Sequence, residues 1–171
     1  GSTGYEPVAD LLLNAERRAA TGRFDDAVAR LYRATEQLAQ IRLGQCKPPI
    51  DSGNVVVAAL PPELQAEYES LRDTSGRVRL GLVQDYQLLV KLGDPLGECY
   101  STYSKRILNG LEKRNHSILA HGNHPLSQSD YREVATTFTD FIASAFLALG
   151  VKMAAPQFPV LIGETLQNRD R

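Results

Sequence analysis

Residues 24–44 read FDDAVARLYRATEQLAQIRLG. Apolar side chains at Phe24, Ala27, Val28, Leu31, Leu38 and Ile41 recur in steps that line one side of an α-helix and match no strand. Asp25 and Asp26 would stand in the first turn, where the positive end of the helix dipole favours carboxylates, and Gly44 closes the segment. An amphipathic helix of this length needs a partner to cover its apolar stripe. Upstream, Val8, Leu11, Leu12, Ala15 and Ala19 repeat the spacing with Arg17 and Arg18 on the wet side, and Gly22 supplies a stop. Two such helices joined by a few residues form an antiparallel hairpin.

Downstream the pattern changes and then returns. Pro48, Pro49, Gly53, Pro61 and Pro62 rule out a long helix, and Val55–Val57 suits a short strand or an extended loop. Pro62 opens a short helix with Leu64, Tyr68 and Leu71 on one side. Arg77-Val78-Arg79-Leu80 alternates like a brief strand between Gly76 and Gly81. A helix over 82–92 ends at Gly93. Asp94-Pro95 caps the next one, which turns Leu96, Cys99, Tyr100, Tyr103 and Ile107 inward. Gly110 marks a break or a close crossing before a helix carrying residues 114–121, which Gly122 and Pro125 end.

Ser127 with Asp130 resembles a capping box for the last long helix. That helix buries Tyr131, Val134, Phe138, Phe141, Ile142, Ala145 and Leu149, and Gly150 stops it. Phe158–Ile162 follows as a short strand or extended piece. The expected fold is mainly all-α, a helical bundle with one or two short extended segments. Residues 1–4 read as an expression scar, 5–163 as one helical domain and 164–171 as a frayed tail.

Composition narrows the function. With 171 residues, 43% hydrophobic and 23% charged, the chain can bury a full core and is not a disordered segment. No apolar run reaches the ~20 residues of a membrane span and no signal peptide is visible, which fits a cytoplasmic protein. Cys46 and Cys99 are too few for a disulfide framework or a zinc site and read as reduced thiols. The three histidines and two cysteines show no metal-ligand spacing, so neither metal nor cofactor is expected. Net charge is −1, without the basic excess of general nucleic-acid binders. Attraction for RNA would be local, from Lys113, Arg114 and their neighbours Lys105 and Arg106.

One polar stretch stands out, Arg114-Asn115-His116-Ser117-Ile118-Leu119-Ala120-His121. Seven helical positions are almost two turns, so Arg114 and His121 would share a side with Ser117 between them, while Ile118, Leu119 and Ala120 pack inward. Histidine exchanges a proton near neutrality, with an unperturbed pKa of about 6.5. Arginine keeps its charge and offers a fork of donors that matches phosphate oxygens. Together they suit RNA cleavage with the ribose 2′-hydroxyl as internal nucleophile. The spacing alone is weak: among 14 arginines and three histidines it arises roughly 0.7 times by chance. Its weight comes from the helical context. Ser117 has no base–acid partnership of the serine-hydrolase kind, and His124, between Asn123 and Pro125, reads as a turn residue at the rim.

Arg114-Asn115, the distance to His121 and the placement before a bundle's last long helix resemble the HEPN family. The run Arg114–Gly122 looks especially like the HEPN domains of ribonucleases from type III CRISPR systems, in which an N-terminal CARF domain senses a cyclic oligoadenylate. Gly22–Ala27 and Leu31-Tyr32-Arg33 are similar to that subfamily's first two helices, so the likeness spans roughly residues 7–162, with the sensing domain absent. The resemblance implies a metal-independent endoribonuclease that cuts single-stranded RNA to 2′,3′-cyclic phosphate and 5′-hydroxyl ends. It implies a homodimer with motif helices meeting at a twofold axis. In it Arg114 stabilises the phosphorane, Asn115 orients the arginine or the phosphate, and His121 moves the proton. Lys113, His116 and Ser117 are candidate substrate contacts. Two rival readings remain, a HEPN-like module that binds RNA or protein without cutting, and a toxin silenced by a partner gene product.

Overall fold

The computed structural model describes residues 1–119 and 125–152. Six helices follow in order: α1 (Glu6–Ala20), α2 (Phe24–Gly44), α3 (Pro62–Glu69), α4 (Leu82–Lys91), α5 (Pro95–Leu119) and α6 (Gln128–Ala148), with a 3-10 turn at Val57–Ala59. Among the described residues there is no strand. The mainly all-α bundle expected from apolar periodicity is therefore present, with the predicted hairpin at its start. Gly22 turns the chain with φ +76°, and Arg23 N–H donates to the Arg18 carbonyl at 3.0 Å, the closing bond of a left-handed helix stop.

Helix α2 lies at the centre and packs against α1, α4, α5 and α6. That position explains why its buried surface is wider than one stripe. Ala34, Thr35, Ala39 and Leu43 are buried beside Ala27, Val28, Leu31 and Leu38, whereas Phe24 and Ile41 are only partly covered. Thr35 is satisfied locally, its hydroxyl donating to the Leu31 carbonyl at 2.9 Å.

The two expected strands come together as an extended pair too short for a ladder. Val55 N–H donates to the Val78 carbonyl and Leu80 N–H to the Ser52 carbonyl, each at 2.9 Å. Val78 and Leu80 are buried and Arg77 and Arg79 exposed, so the alternation holds. The chain leaves extended geometry at once on both sides, into the turn at Val57 and into α4 after Gly81. Leu71 does not share a side with Leu64 and Tyr68: α3 ends at Glu69, and Leu71 is 37% exposed beyond it.

Helix α5 corrects another expectation. Gly110 neither breaks it nor precedes a separate helix, because α5 runs unbroken from Pro95 through Leu119. The glycine lies instead where α5 crosses α6: a Cβ there would stand 3.6 Å from the Phe138 ring, in ordinary van der Waals contact. At its start, Asp94 accepts from Leu96 N–H at 2.9 Å and binds the Arg42 guanidinium through both oxygens. Gly97 lets α4 and α5 touch backbone to backbone, since a Cβ would fall 2.5 Å from Val90 N. Ser127 caps α6 as expected, accepting from Asp130 N–H at 3.0 Å. The helix buries Tyr131, Val134, Phe138, Phe141, Ile142 and Ala145, with Leu149 partly covered. Tyr86, Tyr100 and Phe141 form an aromatic centre where α4, α5 and α6 meet. Phe158–Ile162, expected to be extended, lies outside the described residues.

Candidate active site

The last turns of α5 carry Lys113, Arg114, Asn115 and His116, successive residues that fan around the helix. Asn115 and His116 are exposed, whereas Lys113 and Arg114 are partly covered by neighbouring helices. Lys113 reaches α6 and pairs with Glu133. One turn and more back along α5, Arg106 lies 3.5 Å from Asp140 and packs over Tyr103 with its guanidinium carbon 5.5 Å from the ring centre. Between these pairs runs a groove of about 210 Å³ lined by Arg106, Asn109, Lys113, Glu133, Thr136 and Thr137. Two of the cations expected to draw in RNA are thus already opposite carboxylates.

Arg114 is held differently. Its guanidinium carbon sits 4.0 Å from the centre of the Tyr32 ring on α2. Its Nε is buried without a hydrogen-bond partner. Among the described residues it forms no ion pair. Burial raises the Tyr32 phenol above its ordinary pKa and the Glu36 and Asp85 carboxylates add to the rise, while the Arg114 charge and a side-chain hydrogen bond from Arg114 oppose it. The phenol is therefore neutral at physiological pH, and the ring presents an uncharged, electron-rich face.

The predicted site is brought together in part. Lys113, Arg114, Asn115 and His116 share the end of one helix, but Lys113 points to α6 and Arg114 to α2. His121 and His124 lie outside the described residues, as does the side chain of Ser117. The shared face of Arg114 and His121 therefore remains an expectation of the helical period. Among the described residues no three His, Cys, Asp or Glu side chains gather as a metal ion would require. No described helix is long and apolar enough to cross a membrane.

Tyr32 is the site residue that sequence reasoning missed. Leu31-Tyr32-Arg33 reads as part of the α2 pattern, and nothing in spacing brings a residue of α2 under a residue of α5. The available signal was its place at the edge of the apolar stripe, where an aromatic ring is only partly covered.

Comparison with known proteins places the helical chain in a family. A family model described as Csm6 HEPN domain matches residues 3–145, which takes in all six helices up to the last turn of α6. No curated protein and no solved structure matches the chain.

Proposed function

The chain belongs to the Csm6 HEPN domain family, and from that premise we propose that it is the RNA-cutting part of a CRISPR-associated defence protein. The observation that carries this reading is the Arg114 guanidinium, packed on a ring and opposite no described carboxylate. A guanidinium used to stabilise charge must arrive with that charge unspent, because a neutralising carboxylate would compete with the phosphate for the same donors.

The reaction needs no ion. The ribose 2′-oxygen attacks the adjacent phosphorus while its proton passes to a base, and the P–O5′ bond breaks as the departing oxygen takes up a proton. The products are a 2′,3′-cyclic phosphate and a 5′-hydroxyl. Arg114 binds the non-bridging oxygens as negative charge grows on them. His121, seven residues on, is the proton carrier, and Asn115 orients arginine or phosphate. His116 and Ser117, beside them, and Lys113 contact the strand. One imidazole serves one proton transfer at a time, whereas this reaction has two. A homodimer that brings two α5 ends together at a twofold axis supplies the second. The substrate is single-stranded RNA, and the protein works in the cytoplasm.

The test is cleavage of single-stranded RNA by the purified chain with EDTA present. Expected are products ending in cyclic phosphate, lost in Arg114→Ala and His121→Ala with helicity kept. Activity abolished by chelation, or untouched by His121→Ala, overturns the reading. The net charge of −1 and the ion pairs of Lys113 and Arg106 favour one alternative, a module that binds without cutting. RNA retained intact at high protein concentration would identify it.

A further inference from the structure

An arginine can be fixed in place in two ways. A carboxylate holds it through its N–H donors and cancels its charge. An aromatic ring holds it through the face of the guanidinium plane, and the donors, which lie in that plane, stay uncommitted. The 4.0 Å separation between the Arg114 guanidinium carbon and the Tyr32 ring centre is the second arrangement at contact distance. We propose that Tyr32 is a positioning residue for Arg114, an aromatic shelf that sets where the guanidinium meets phosphate without cancelling its charge as a carboxylate would. This rests on the reading of Arg114 as the charge-stabilising group.

The surroundings support a positioning role over simple packing. Tyr32 sits at the margin of the core rather than within it. Glu36, one turn along α2, is a carboxylate close enough to raise the Tyr32 pKa. It is engaged by Arg33, at 2.6 Å. The buried Arg114 Nε is the expected cost of holding a guanidinium by its face, because that N–H loses water and gains no acceptor.

Three proteins test this: the wild type, Tyr32→Phe, which keeps the ring, and Tyr32→Leu, which keeps apolar bulk and removes it. Two readouts are needed, steady-state RNA cleavage and the NMR shifts of the Arg114 δ protons, which a ring face moves upfield. Tyr32→Phe should retain the upfield shift and cut within about twofold of wild type. Tyr32→Leu should lose the shift and fall roughly tenfold or more in kcat, with KM little changed and the thermal midpoint preserved. Equal kcat in Tyr32→Leu and wild type overturns the proposal, as does Tyr32→Phe falling as far as Tyr32→Leu. Arg114 protons without an upfield shift in the wild type overturn it whatever the activity. If the shift is present and no RNA is cut, the shelf stands and the ribonuclease reading fails. If Tyr32→Leu does not fold, the wild-type shift and the Tyr32→Phe kinetics still decide.

Discussion

Replacing Asp85 with asparagine should stabilise the protein by an amount that grows as pH rises from about 4 to about 7 and should do little below that window. Asp85 is fully buried near the start of α4. Its Oδ1 lies 2.6 Å from the Ser52 hydroxyl, and its Oδ2 is buried with no partner. The same hydroxyl lies 3.2 Å from the Leu80 carbonyl. A hydroxyl has one proton and cannot serve both acceptors. If Asp85 keeps its own proton, the carboxyl donates to Ser52 and Ser52 donates to Leu80, so the chain of bonds closes. Burial, the dominant cause, pushes the Asp85 pKa from 3.8 up to about 7; the Ser52 hydrogen bond opposes the rise and the Glu36 carboxylate adds to it.

The sign follows from which state holds the proton. Below the unfolded value of 3.8 both states are protonated, and the group costs nothing. As pH rises from there to about 7, the unfolded chain gives up the proton and the folded one keeps it, so stability declines. Above that window both are ionised and the cost is constant. At 1.36 kcal/mol per unit, the shift of about three units bounds the loss at ~4 kcal/mol. The asparagine of the variant cannot ionise, and its amide donates to Ser52 much as the carboxyl does. Urea unfolding of both proteins at mildly acidic, neutral and mildly basic pH measures the difference. The advantage of Asp85→Asn should grow with pH toward that bound and then level off. Parallel stability curves for the two proteins would refute the neutral carboxyl.

Two stability predictions concern the ends of α4 and α5. Gly97→Ala places a methyl 2.5 Å from Val90 N and 2.6 Å from the Leu89 carbonyl carbon, and since backbone cannot swing aside, the helices must part. A loss of about 2–4 kcal/mol in denaturant unfolding is expected, and an unchanged midpoint would contradict the close crossing. Asp94→Ala removes both the cap on α5 and the two-oxygen hold on Arg42. It should cost about 2–3 kcal/mol, with part recovered in Asp94→Asn; a cost no larger than that of an exposed surface change would deny Asp94 both roles.

Local chemistry accounts for most of what the amino-acid order determined by itself. The hairpin stop at Gly22, the Asp94-Pro95 start of α5 and the Ser127 cap of α6 each depend on residues within a turn of one another. The apolar period therefore announced the helices and most of their inward residues. The same locality explains the errors. Gly110 has low helix propensity and left a break and a crossing equally open, and only the position of Phe138 on α6 shows that it lies at a crossing within an unbroken α5. Val55 and Val78 do meet as extended chain, but how many residue pairs follow depends on where the chain turns away on each side.

What only the tertiary structure decided lies between segments distant in sequence. The Tyr32 ring beneath Arg114, the carboxylates opposite Lys113 and Arg106, and the single hydroxyl shared by Asp85 and Leu80 are of this kind. Helical period places Arg114 on a face and gives it charge and reach. Whether that charge meets a carboxylate or a ring is set by which helix packs alongside, because an interaction that acts over a few ångströms depends on neighbours in space.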